Sequence, residues 1–125
     1  MSQSTLPKFV TITEVGSRDG LQNEKQTVPA ATKLELCERL LDAGVSSLEV
    51  TSLVSPKWVP QMADAEEVLR AVSRRAKVRY SALTPNMRGF ERALDCGVDE
   101  VVIFGAASEA FSQRNINCSI AESIE

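Results

Sequence analysis

Ser47-Leu48-Glu49-Val50-Thr51-Ser52 is the stretch on which the fold turns. It reads as a short strand, and successive side chains of a strand point to opposite faces. Leu48 and Val50 then share one face, while Ser47, Glu49 and Thr51 share the other. An open parallel sheet wrapped by helices on both sides reads as apolar throughout. A closed barrel instead turns apolar residues outward against its helices and admits polar groups inside, toward an active-site mouth. Glu49 therefore favours the barrel.

Three further runs read as strands: residues 10–15, 78–83 and 100–104, each rich in Val, Ile, Thr, Leu or Tyr and bounded by turn residues. In the first, Val10, Ile12 and Glu14 fall on one face, so its orientation stays ambiguous. Helical stretches alternate with the strands. Residues 29–43 repeat Leu34, Cys37, Leu40 and Leu41 at helical spacing, with Thr27 as candidate N-cap, Pro29 in the first turn and Gly44 as the stop. Residues 62–74 set Ala65, Val68, Leu69 and Val72 on one side, and Met87–Asp95 sets Phe90, Ala93 and Leu94 inward. A fourth helix begins near Ser119. The joint Leu41-Asp42-Ala43-Gly44-Val45 recurs as Leu94-Asp95-Cys96-Gly97-Val98, the same helix-to-strand turn used twice.

This order predicts an α/β chain made of the first four βα units of a (β/α)8 TIM barrel, a half barrel with a parallel sheet and outer helices. A whole barrel takes about 250 residues, and four strands alone leave two bare edges, an aggregation hazard. Residues 1–125 are therefore expected to be one unit, the N-terminal part of a barrel domain, as a fragment or as half of an assembly.

Composition narrows the function. The chain has 125 residues, 43% of them hydrophobic and 25% charged, the average for a globular domain. No apolar run approaches the roughly 20 residues that span a bilayer, so no membrane role is expected. Fourteen basic against seventeen acidic residues give a net charge of −3, which argues against nucleic-acid binding through phosphate contacts. Histidine is absent, and that removes Ser-His and Cys-His nucleophile pairs and every His-based zinc site. Cys37, Cys96 and Cys118 form no paired motif and read as thiols in a reducing compartment, with Cys37 and Cys96 as buried structural groups. Neither a signal nor a transit pattern marks residues 1–10, so a cytoplasmic protein is expected.

In a barrel, chemistry belongs to the loops after the strands' C-terminal ends. The first such loop, Gly16-Ser17-Arg18-Asp19-Gly20-Leu21-Gln22-Asn23-Glu24, gathers a cation, an anion and amides around a glycine. A carboxylate there suits a hard divalent cation, and an adjacent guanidinium suits a carboxylate or a developing enolate oxygen. Taken alone it reads more readily as an Arg-Asp surface turn. Glu49, converging from the neighbouring strand, raises the functional reading.

The segment Glu14-Val15-Gly16-Ser17-Arg18-Asp19-Gly20-Leu21-Gln22-Asn23-Glu24 resembles the opening signature of the 3-hydroxy-3-methylglutaryl-CoA lyases, within a metal-dependent, pyruvate-carboxyltransferase-like barrel superfamily. So do 54–62 (VSPKWVPQM), Leu83-Thr84-Pro85-Asn86, 101–109 (VVIFGAASE) and Asn115-Ile116-Asn117-Cys118-Ser119. The likeness runs from about Leu6 to the last residue and covers only the first part of that family's barrel. The related isopropylmalate, citramalate and homocitrate synthases share the Arg-Asp-Gly core, but tend to carry Asp in place of Glu14 and Thr-Leu where this chain has Gly16-Ser17.

The resemblance implies a divalent-metal-dependent retro-Claisen cleavage of 3-hydroxy-3-methylglutaryl-CoA to acetyl-CoA and acetoacetate, as in leucine degradation and ketone-body formation, with Mg²⁺ or Mn²⁺ as cofactor and an acyl-CoA as substrate. By position in the motif Asp19 would be a metal ligand, and Arg18 the catalytic contact to substrate and enolate. Glu49 would assist proton transfer or hold Arg18, and Gln22 would support the metal loop or the substrate. The family's remaining ligands, two histidines and an asparagine, and its catalytic cysteine come from later segments. This chain alone is therefore expected to be inactive. The alternatives are a Claisen-type acyl-CoA/2-oxo acid synthase, or a half barrel without catalysis. A homo-oligomer of the full-length protein stays open.

Residues 74–79 (RRAKVR) read as a solvated, dipole-complementing helix end rather than a phosphate patch. Lys57-Trp58 reads as part of a loop near the barrel mouth, and Ser108-Glu109 as either pocket lining or a helix cap. The sequon at Asn117 carries no meaning without secretion.

Overall fold

The computed structural model describes residues 6–125. The reading of residues 1–10 as lacking a leader therefore falls partly outside the described residues. Ser47–Ser52 forms a strand (β1) that pairs in parallel with Arg79–Leu83 (β2), and β2 pairs in parallel with Glu100–Val102 (β3). The expected first strand does not form a ladder. Residues 10–15 meet β1 only at Glu14, whose N–H donates to the Ser47 carbonyl (2.8 Å) and whose carbonyl accepts from Glu49 N–H (2.9 Å). Val10 and Ile12 lie exposed, so their alternation finds no face to bury and pairing stops at Glu14.

All six residues of β1 are buried. Leu48 and Val50 pack into a core with Cys37 and Leu41, with Val68 and Leu69, and with Tyr80, Ala82 and Ala93. Each large side chain buried there adds roughly 1.5–3 kcal/mol. The alternation expected for β1 breaks partway. Glu49 stands opposite Ser81, but the register slips, and Thr51 then stands opposite Ala82 and Ser52 opposite Leu83. This bulge inserts one unpaired residue and reverses the faces beyond it. Thr51, expected beside Glu49, donates instead to Met62 Sδ (3.4 Å).

The helices follow their apolar patterns with local departures. Ala30–Asp42 (α1) starts after Pro29 with no side-chain cap, so Thr27 does not serve as its N-cap. The helix expected over 62–74 divides into a 3₁₀ turn, Pro60–Met62, and a shorter helix, Ala65–Ala71 (α2). It ends early because the next backbone groups are claimed by side chains. Glu38 accepts from Ser73 N–H (3.1 Å), while the Tyr80 hydroxyl donates to the Ser73 carbonyl (2.7 Å) and accepts from Arg75 N–H (2.9 Å). Met87–Asp95 (α3) forms as expected, with Asn86 capping Gly89 N–H (2.9 Å), though Leu94 is exposed rather than inward.

Glu109–Ile116 (α4) was not among the expected helical stretches, and Ser108 takes the helix-cap alternative at its start. Ile120–Ile124 (α5) opens on a capping box between Ser119 and Glu122. The two repeated joints fold alike: Gly44 (φ 96°) and Gly97 (φ 67°) take the left-handed conformation open to glycine, and Val45 and Val98 N–H turn back to the Leu40 and Ala93 carbonyls (3.2 and 3.4 Å). Among the described residues no helix is long and apolar enough to cross a membrane.

The basic segment 74–79 is tied into the fold. Arg75 pairs with Glu38 and Asp42 (both 2.8 Å), Arg79 with Glu100 (3.2 Å), and Arg74 lies over the Tyr80 ring. Hydrogen bonds from the Ser73 amide and Arg75 hold the Glu38 carboxyl below its ordinary range, and the Arg92 bond does the same for Glu66. A carboxyl depressed by folding adds stability above its unfolded pKa and loses it as pH falls through the folded value. Thermal stability should thus fall as pH drops below the ordinary carboxylate range, about 4.3 for Glu. Glu66→Gln should make that decline shallower; an unchanged acid profile would remove Glu66 from the account.

Candidate active site

The loop after residues 10–15 is wound. Gly16–Gly20 makes a single π-helical turn, in which Asp19 and Gly20 N–H both converge on the Val15 carbonyl (2.7 and 3.5 Å). Such turns are rare and gather at functional sites. Glu14 Oε1 folds back to accept from Gly16 N–H (2.6 Å), and a Cβ at residue 16 would stand 2.7 Å from that oxygen. Glycine is what lets the carboxylate close on the turn. Ser17, buried, donates to the Glu49 carbonyl (2.9 Å) and fastens the turn to β1.

That fastening brings the predicted residues together. Arg18 Nε donates to Glu49 Oε1 at 2.5 Å, and Arg18 Nη1 donates to Asp19 Oδ1 at 2.9 Å. The Glu49 side chain is 5% exposed, that of Arg18 16% and that of Asp19 60%, so the pair with Glu49 is buried and the one with Asp19 faces water. A buried carboxylate persists as an ion only beside a partner of this kind. Nη2 of Arg18 makes no protein hydrogen bond among the described residues, leaving the guanidinium donors to spare. Gln22, two residues beyond the turn, has its Oε1 buried with no partner.

Among the described residues no group of three or more His, Cys, Asp or Glu is placed to hold a metal. Asp19 presents one carboxylate to solvent with one oxygen already met by Arg18. The donors present fit one corner of an oxygen-ligated cation site and do not make a complete one.

A polar cluster beside the site escaped the sequence reading. The Lys33 ammonium, nearly buried on α1, donates to the Gln61 carbonyl and to Asp64 Oδ1 (2.6 Å). The Gln61 amide grips the strand of loop that follows Gln22: Nε2 donates to the Glu24 and Gln26 carbonyls (3.2 and 2.7 Å), and Oε1 accepts from Val28 N–H (2.8 Å). The signal was present in the spacing. Lys33, Cys37 and Leu41 lie four residues apart on one buried stripe, where an unpaired lysine could not remain.

Other expected features resolve simply. Trp58 is 85% exposed in the loop after β1 and anchors no core. Ser108 is a helix cap. Burial raises the thiol pKa of both Cys37 and Cys96, as inert structural groups require.

A family model described as HMGL-like matches residues 9–125. The chain is 56% identical over 124 residues to the mitochondrial hydroxymethylglutaryl-CoA lyase of Rattus norvegicus, covering 99% of this chain and 38% of that protein. It is 56% identical over 121 residues to the cytoplasmic 3-hydroxy-3-methylglutaryl-CoA lyase of Homo sapiens, covering 97% of this chain and 33% of that protein. The solved HMG-CoA lyase of Brucella melitensis superposes with a TM-score of 0.89 at 56% identity, covering 92% of this chain and 41% of that one. An HMG-CoA lyase of Acinetobacter baumannii, solved with coenzyme A and 3-methylmalate, superposes at 0.87 with 35% identity, covering 91% and 37%. The solved relatives are TIM barrels, so the three-stranded sheet is a sector of barrel wall. The chain spans about two fifths of the length of the curated relatives it matches.

Lys33→Met should cost roughly 2–3 kcal/mol in urea unfolding, less than the roughly 3–5 of a fully buried pair because Asp64 keeps some water. Amide exchange at Val28 should quicken with it. Unaltered stability together with unaltered Val28 protection would contradict the clasp.

Proposed function

The chain belongs to the HMGL-like family, and from that premise we propose that it forms the first part of a lyase cleaving 3-hydroxy-3-methylglutaryl-CoA to acetyl-CoA and acetoacetate. In that cleavage the bond between the carbon beside the thioester and the hydroxyl-bearing carbon breaks. The hydroxyl proton goes to a base and its oxygen becomes the ketone of acetoacetate. The electron pair leaves on the acetyl-CoA enolate, which is then protonated at carbon.

The observation that carries the reading is the guanidinium of Arg18 held between Glu49 and Asp19 with Nη2 unspent. A fixed cation of this kind can donate to the thioester oxygen, where negative charge grows as the bond breaks. Glu49 is read as the residue that holds Arg18 rather than as the base, because Oε1 is engaged at 2.5 Å and the carboxylate is buried. It is a positioning residue. Asp19 would ligate Mg²⁺ or Mn²⁺ together with groups outside this chain, and the ion when bound supplies positive charge to the substrate's oxygens. The unpartnered Gln22 Oε1 is available to a donor on the substrate. That an A. baumannii relative was solved with coenzyme A supports an acyl-CoA as the ligand class.

The closure of Glu14 on Gly16 favours the lyase over the synthase reading. A side chain at 16 would put its Cβ 2.7 Å from Glu14 Oε1 and would push that carboxylate off the turn. The complete protein carrying this chain should release acetoacetate from 3-hydroxy-3-methylglutaryl-CoA with Mg²⁺, and Arg18→Met should lower kcat by roughly 10²–10³-fold. The 125 residues alone should show no turnover. Condensation of an acyl-CoA with a 2-oxo acid, in place of cleavage, would overturn the reading.

A further inference from the structure

Ser52 ends β1 with no exposed surface, and its Oγ has no hydrogen-bond partner. A hydroxyl buried unmet costs about 1–3 kcal/mol, and nearly every buried polar atom in a native protein finds a partner. The other hydroxyls of β1 and β2 are all engaged: Ser47 with Thr13 (2.9 Å), Thr51 with Met62, Ser81 with the Leu48 carbonyl (3.5 Å) and Tyr80 with Ser73. Ser52 is the exception among them.

The bulge determines where the orphan stands. Strict alternation would set Ser52 with Leu48 and Val50 against the helices. Glu49 is opposite Ser81 and Ser52 is opposite Leu83, however, and Ser81 and Leu83 are two apart on one face of β2. Ser52 therefore shares the face of Glu49. It also lies at the strand's C-terminal end, where barrel chemistry takes place. The slipped register thus carries one unmatched hydroxyl onto the face that bears the Arg18–Glu49 pair.

We propose that Ser52 is a substrate-binding residue of this site, its hydroxyl donating to an oxygen of the bound acyl group. The proposal rests on the lyase reading, under which the acyl thioester presents carboxylate and carbonyl oxygens as acceptors. The hydroxyl is covered in the ligand-free chain, so the bond forms as the acyl group seats and displaces what covers it.

The test uses the complete protein carrying this chain, with Mg²⁺ and 3-hydroxy-3-methylglutaryl-CoA, and compares the parent with Ser52→Ala and Ser52→Cys. Neither variant should lower the parent's ligand-free Tm, because the hydroxyl satisfies nothing there and its removal relieves an unmet buried group. Both should raise KM by roughly three- to tenfold, the worth of one neutral hydrogen bond, and reduce the Tm shift given by the acyl-CoA. Cysteine nearly keeps the volume but bonds weakly, so its agreement with alanine assigns the effect to the hydrogen bond. Unchanged KM and unchanged ligand-induced shift beside an active parent would overturn the proposal alone. So would a fall in ligand-free Tm with KM unmoved. A parent that neither binds nor cleaves the thioester would overturn the lyase reading and this proposal with it.

Discussion

The buried ion pair between Arg18 and Glu49 is the constraint from which the rest of the site follows. A carboxylate on a strand that is buried on both faces is costly unless a cation meets it with good geometry. Arg18 meets it through Nε at 2.5 Å, and the turn that carries Arg18 is shaped to make this possible. Gly16 leaves room for Glu14 to close on the backbone, and Ser17 bonds the strand beneath. With Nε committed to Glu49, the far edge of the guanidinium is turned to the solvent-facing Asp19 and beyond it. The arrangement divides labour by burial: one carboxylate fixes the cation, and the other remains open to a ligand.

Two chain segments bring these groups together, and each is tied down past the site. The Gly16–Gly20 turn continues into the loop gripped by the Gln61 amide, and β1 continues into the 3₁₀ turn from which Gln61 comes. Lys33 closes the arrangement from α1. Groups held this way lose little freedom when a ligand binds, which is the advantage of a preorganised site.

Much of this was legible in the residues. The parallel order of strands and helices, the twin Gly44 and Gly97 joints, α3, and the meeting of Arg18, Asp19 and Glu49 all follow from local patterns that tertiary contacts reinforce. What was hidden depended on pairing rather than on pattern. The bulge in β1 is a property of its register with β2, so Thr51 and Ser52 exchange faces although the sequence alternates. Residues 10–15 look like a strand but find a neighbour only at Glu14. The early end of α2 is decided by Glu38, far from it in the chain, and by Tyr80 on the strand that follows. Lys33 was readable from helical spacing, but its partners were not.

A double-mutant cycle on Arg18 and Glu49 tests the central claim most directly. Urea unfolding of the parent, Arg18→Met, Glu49→Gln and the double variant isolates the coupling between the two side chains. The account predicts a coupling of about 2 kcal/mol or more, with the double variant less destabilised than the two single losses added together. Losses that simply add, to within about 0.5 kcal/mol, would show that the two side chains do not act as a pair and would contradict the account.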